Sequence, residues 1–224
     1  MGALAARELL VTDPQELRRA VAEATEAGRV ALDTEFMREK TYRARLCLVQ
    51  LAVKDSIWLI DPLNVDLQPV SELVAAPGVQ IIVHAGKQDL EIFHEMFGVL
   101  PRNLFDVQVA AAFAGYGASL SYGRLVSAAL RVTLTKGESY TDWCRRPLTD
   151  AQMKYAADDV RYLIPVADRL TGELTKADRL GWVTEELAEM EREDAYRIDL
   201  DQVCRRVGGR GGPGGRRPSA GRGS

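Results

Sequence analysis

Five side chains in this sequence stand where acid chemistry would need them. Asp33 and Glu35 lie two apart in the apolar run VALDTEF, residues 30–36. In an extended strand that spacing sends both carboxylates to one face. Two like charges there repel, and neither is easily buried. Two readings fit: an acidic pair at a solvated strand end, or a pair neutralised by a cation. Asp89 falls in the first turn of an expected helix. There a carboxylate either partners the helix dipole or, in an α/β domain, joins the groups that converge at strand ends. Tyr155 and Asp159 are four apart on another expected helix and share a face, which suits a surface hydrogen bond or part of a site.

The elements that must position them follow from the punctuation of the chain. Residues 8–12 form a short apolar stretch that predicts a first strand, and Asp13, Pro14 and Glu16 open a helix that Gly28 ends. After the strand over 30–36, a basic loop at 37–44 leads into RLCLVQLAV. Lys54 and Asp55 then form a two-residue turn into SIWLID, a hairpin. A short helix over 70–76 stops at Pro77 and Gly78, and residues 79–84 form another buried strand. Helices are expected over 86–97, with Leu90, Phe93, Met96 and Phe97 on one stripe, over 107–114 capped by Asp106, and over 121–130. Thr149 and Gln152 form a capping box for the helix of Tyr155 and Asp159, Pro165 is expected to kink or break it, and a last amphipathic helix covers 182–196. Strands and a hairpin followed mostly by helices describe an α/β domain with a mixed central sheet flanked by helices.

At 224 residues, 27% charged and 46% apolar, the chain suits one globular domain, and no apolar run is long enough for a membrane span. Without a recognisable signal segment, a cytoplasmic location is the expectation. Cys47, Cys144 and Cys204 are isolated and odd in number, so neither a disulfide framework nor a zinc knuckle is expected. The net charge of −3 divides unevenly: residues 1–204 carry −9, and residues 205–224 carry six arginines, no acid and eight of the 19 glycines. That tail is expected to be disordered.

Taken together, VALDTEF with Asp33 and Glu35, HAGKQDLEIF with Asp89, and YAADDVRYL with Tyr155 and Asp159 resemble the three motifs of the DEDD family of 3′-5′ exonucleases. The similarity is to the tyrosine-bearing subclass (DEDDy) and, within it, to the ribonuclease D branch. The connecting stretches TYRARLCLVQLA, LIDPL, LFDVQVAAAF and ESYTDWCRRPLT carry it too, over roughly residues 7–175. His84 and Asp89 also match the His-x-x-x-x-Asp signature of the sister subclass, an assignment that leaves Tyr155 and Asp159 without a role. Asp159 rather than Asp158 fits the Tyr-x-x-x-Asp spacing, and Asp158 is expected to be a solvated neighbour. His84 is expected to be hydrogen-bonded locally and His94 to be structural.

The resemblance implies a ribonuclease H-like 3′-5′ exonuclease fold over residues 1–200, without the helical HRDC domains of full-length ribonuclease D. It implies hydrolysis of RNA 3′ ends to 5′-mononucleotides, with tRNA precursors as substrates, by a monomer that uses two divalent ions, Mg²⁺ or Mn²⁺, and no small-molecule cofactor. Asp33 would bridge the ions, Glu35 and Asp159 would hold the nucleophile-side ion, Asp89 the other, and Tyr155 would orient the attacking water with Glu35. Arg38, Lys40, Arg43, Arg45 and Lys154 are candidates for RNA phosphate contact, with Arg145, Arg146 and Arg161 near them. Phe36 alternates onto the opposite face from Asp33 and Glu35 and is expected in the core. A DNA exonuclease of the same family and a non-catalytic nucleic-acid-binding module are the alternative readings.

Overall fold

The computed structural model describes residues 6–37, 44–134 and 141–196. The chain begins with strand β1 (Arg7–Val11) and helix α1 (Pro14–Ala27). The carboxylate of Asp13 caps α1 by accepting from the backbone N–H groups of Gln15 (2.7 Å) and Glu16 (3.2 Å). Gly28 closes the helix in the left-handed region at φ 67°, where a side chain would be strained. There follow β2 (Arg29–Met37), β3 (Arg45–Ala52), β4 (Ser56–Ile60), α2 (Gln68–Ala75), β5 (Gln80–Val83) and α3 (Lys87–Phe97). The chain continues through β6 (Leu104–Asp106), α4 (Val107–Phe113), α5 (Tyr122–Leu130), α6 (Asp150–Arg161), α7 (Leu163–Lys176), α8 (Leu180–Met190) and a 3-10 turn, Glu193–Tyr196.

The sheet runs β1-β4-β3-β2-β5-β6. β3 is antiparallel to β2 and β4, whereas β1 pairs β4, β5 pairs β2 and β6 pairs β5 in parallel. This is the expected mixed α/β sheet, and β3 and β4 are buried along their length apart from Arg45, because both faces are covered. α6 packs on β2, β3 and β4, and α7 on β2 and β5. α1 packs on β1 and β2 and touches α2, which in turn touches α3. None of the described helices is long and apolar enough to cross a membrane.

Several expectations need correction. The three-residue strand β6 was not expected; it is held by Ile81 N–H donating to the Asn103 carbonyl at 2.8 Å and is too short to show a pattern. Met96 is 50% exposed rather than part of the buried stripe. The break between α6 and α7 falls at Tyr162, three residues before Pro165, which sits in the first turn of α7, where its missing N–H has no helical partner to lose. The final helix starts at Leu180 and ends at Met190, ahead of the 3-10 turn. Cys47 and Cys144 form a disulfide although 97 residues separate them. Folding brings β3 beside the segment that precedes α6, a closeness that cysteine spacing cannot reveal. Residues 205–224 lie outside the described residues.

Candidate active site

The strand alternation of β2 organises the site. Ala31, Asp33 and Glu35 share one face, and α6 packs over β2 and its neighbours. The capping box that starts α6 is formed: Gln152 N–H donates to Thr149 Oγ1 at 3.2 Å, and Thr149 N–H donates to the Gln152 side chain at 2.9 Å. α6 then delivers Asp159, so that carboxylate oxygens of Asp33, Glu35 and Asp159 all lie within 4.8 Å of one another. Asp33, Tyr155 and Asp159 line a cleft of about 190 Å³ together with His84, Tyr122 and Leu163.

Asp89 is near this group but outside it. Thr34 points away from Asp33 and Glu35, and its hydroxyl donates a short hydrogen bond to Asp89 Oδ1, which fixes the acid at the start of α3. Gly86 permits this approach of α3 to β5, because a Cβ there would fall 2.5 Å from Val83 Cγ2. The carboxylate of Asp106 accepts from Ala85 N–H (3.1 Å) and Gly86 N–H (2.9 Å) as well as capping α4, so it is structural, as expected.

The acids cannot ionise together without cost. Burial first, then the charges of Asp89, Asp159 and Glu35, push the Asp33 carboxyl well above the carboxylate range. Burial, Asp159 and Asp89 push Glu35 to about 8. Burial raises Asp159 to about 7, opposed by hydrogen bonding from Tyr155. Asp89 rises to about 6 through burial, opposed by the Thr34 hydrogen bond. Burial and then the charges of Asp159, Glu35 and Asp33 raise the Tyr155 phenol, so it stays protonated. Among the described residues no arginine or lysine forms an ion pair with Asp33, Glu35 or Asp159. Convergent oxygen donors whose repulsion no cationic side chain among the described residues offsets suit one or more hard divalent cations.

The cationic candidates separate. Arg38, Lys40 and Arg43 lie outside the described residues, and Arg45 is exposed at the start of β3. Lys154 is exposed and paired with Asp158. Asp158 is therefore no solvated neighbour: its side chain is 16% exposed and is also held by Arg161 Nε at 3.0 Å. Arg161 reaches Glu8 as well, at 2.5 Å. His84 Nε2 is 2.9 Å from the carbonyl of Leu120, 36 residues away rather than a local partner, and the His94 ring lies tilted with its centroid 5.8 Å from that of Tyr196. Phe36 packs against the core.

Sequence reasoning missed Thr34 and Tyr122. It also missed Gln50, which lies directly across from Asp33 on β3, fully buried, with neither amide heteroatom hydrogen-bonded. The signal for Gln50 was there to read: it is the one polar residue in the run LCLVQLA.

The family described as 3′-5′ exonuclease matches residues 9–175, which span all five candidate side chains. The chain belongs to this 3′-5′ exonuclease family. The chain is 45% identical over 192 residues to a ribonuclease D of Xanthomonas oryzae pv. oryzae, covering 84% of this chain and 53% of that protein. To a ribonuclease D of Jannaschia sp. it is 43% identical over 204 residues, covering 88% and 53%. The crystal structure of Escherichia coli RNase D, described as an exoribonuclease involved in structured RNA processing, superposes with a TM-score of 0.83 at 35% identity, over 91% of this chain and 54% of that one. The chain thus spans about half the length of the curated relatives it matches. The catalytic core of RRP6 from Trypanosoma brucei shares the fold, with a TM-score of 0.80 at 24% identity.

Proposed function

We propose that this chain is a metal-dependent 3′-5′ exoribonuclease of the ribonuclease D type, trimming the 3′ ends of structured RNA such as tRNA precursors. The observation that carries this is the three-carboxylate cluster at β2 and α6, with its ionisation held back by burial and mutual repulsion. The similarity to ribonuclease D supports RNA as the substrate class. Asp33, Glu35 and Asp159 would hold divalent ions, Mg²⁺ or Mn²⁺, with Asp89 contributing from the α3 side. Such ions supply Lewis-acid polarisation of the phosphodiester and lower the pKa of water at neutral pH.

The remaining chemistry belongs to the protein. Glu35 and Tyr155 orient the attacking water, and the Tyr155 phenol, held protonated, positions it as a hydrogen-bonding group rather than as a base. Water adds to phosphorus as the bond to the 3′-oxygen of the penultimate nucleotide breaks. A 5′-mononucleotide leaves, and the RNA keeps a new 3′-hydroxyl. Arg38, Lys40, Arg43, Arg45 and Lys154 contact phosphates of the strand, which predicts salt-sensitive KM.

The test uses 3′-labelled single-stranded RNA and DNA of equal sequence with Mg²⁺, Mn²⁺ or chelator. Stepwise release of 5′-mononucleotides from RNA is expected. Preference for DNA would move the chain to a DNA exonuclease, and binding without cleavage would make it a non-catalytic module.

A further inference from the structure

Arg146 reaches inward rather than toward a substrate. All five of its guanidinium N–H donors are committed inside the protein. Nε donates to Asp61 Oδ2 at 2.6 Å and Nη2 to Asp61 Oδ1 at 2.8 Å. Nη2 also donates to the Cys47 carbonyl at 2.7 Å. Nη1 donates to the carbonyls of Trp143 (2.7 Å) and Arg145 (2.9 Å). A phosphate-binding role for Arg146 is therefore excluded by its own bonding.

What these bonds join is informative. Asp61 follows β4, is 1% exposed, and also accepts from Leu63 N–H (3.0 Å) and Asn64 Nδ2 (2.8 Å), so its carboxylate is saturated and fixed. Cys47 is the residue by which β3 exceeds β2 at the bulge between Glu35 and Phe36, so Arg146 grips the backbone directly beside Glu35. Trp143, 2% exposed, lies with its ring centroid 5.9 Å from that of Tyr155. The same segment is tied to the start of α6 by Gln152 Nε2, which donates to Thr141 Oγ1 and to the Asp142 carbonyl, both at 3.3 Å. The Cys47–Cys144 disulfide joins the two segments a second time.

We infer that Arg146, anchored on Asp61, is a positioning residue that registers Tyr155 against Glu35 by holding Trp143 in place behind the phenol ring. It acts on no substrate atom, and the inference rests on the exonuclease reading of Tyr155. Lysine cannot replace it, because an ammonium offers three donors from one point and cannot span Asp61, Cys47 and Trp143 at once. A water-orienting group displaced by about 1 Å can cost on the order of 100-fold in rate, so the effect belongs on kcat and not on KM.

The test is a double-mutant cycle on the full chain with 3′-labelled RNA, using Arg146→Lys and Trp143→Leu, each alone and combined with Tyr155→Phe. Each single variant is expected to lower kcat roughly 10- to 100-fold with KM within about 2-fold, and to cost less than about 3-fold further once Tyr155 is phenylalanine. Equal losses in both backgrounds, or unchanged kcat in the single variants, would overturn the inference. If Arg146→Lys does not fold, Trp143→Leu carries the same test. A readout independent of hydrolysis is the ¹⁹F resonance of 3-fluorotyrosine placed at 155. It should shift or broaden in Arg146→Lys and Trp143→Leu, and an unmoved line would count against the inference even if the chain hydrolysed no RNA at all. Absence of hydrolysis by the parent with the line moved as expected would instead sink the exonuclease reading alone.

Discussion

Replacing Glu35 with glutamine should make the metal-free protein more stable at pH 8. The Glu35 carboxyl is held at about 8 against an ordinary 4.5, by burial first and by Asp159 and Asp89 second. At about 1.36 kcal/mol per pH unit, that gap is roughly 5 kcal/mol of ionisation penalty. The side chain is only half-buried, and the solvation it keeps reduces the penalty to about 2 to 3 kcal/mol. Unfolded, Glu35 releases its proton near 4.5; folded, it keeps it until about 8. Below the lower value both states are protonated and the group contributes nothing to the difference. Between the two values the folded state holds the extra proton, so stability falls as pH rises. Glutamine has no charge to suppress, so the gap between variant and parent should open from pH 5 to pH 8 and reach a Tm difference of roughly 5–10 °C in chelator. With Mn²⁺ the parent should gain more than the variant, because cation binding then rewards the carboxylate. Scanning calorimetry from pH 5 to 8.5, with and without Mn²⁺, reads both effects. A variant less stable than its parent at pH 8 in chelator, or a gap that ignores pH, would refute the reasoning.

Three further outcomes follow from the same geometry. Thr34→Val removes the hydroxyl that holds Asp89 and should lower kcat by about 10-fold while leaving RNA affinity unchanged, read by single-turnover kinetics and filter binding. Gly86→Ala drives a methyl group against Val83, so it should cost about 1–3 kcal/mol in urea unfolding and weaken Mn²⁺ stabilisation through the displaced start of α3. Alkylation of the denatured, unreduced protein should label Cys204 alone, and reduction should lower stability by about 2–4 kcal/mol; three labelled thiols before reduction would contradict the Cys47–Cys144 bond.

Local signals in the sequence located the site because each depends on few residues. Two carboxylates two apart on β2 must share a face, and Thr149 with Gln152 does start the helix of Tyr155 and Asp159. What stayed hidden is long-range. Thr34 carries no signal of its own in the sequence, and only α3, which places Asp89 beside its hydroxyl, gives it a role. Arg146 read as a cation near the candidates for RNA phosphate contact, and only the fold brings Asp61 and Cys47, 85 and 99 residues away, to three of its five donors. Cys47 and Cys144 read as isolated for the same reason. The short strand β6 was missed because three residues show no periodicity, so its pairing with β5 rather than its pattern defines it.

The proposed role of Asp33, Glu35 and Asp159 is a divalent-metal centre for phosphodiester hydrolysis. Single-turnover release of 5′-mononucleotides from 3′-labelled RNA, followed across an Mn²⁺ titration in the parent and in Asp33→Asn, tests it most directly. The rate is expected to rise from zero in chelator to saturation in the parent and to fall on the order of 10²–10³-fold or more in the variant. Hydrolysis that persists in chelator, or that Asp33→Asn leaves undiminished, would contradict it.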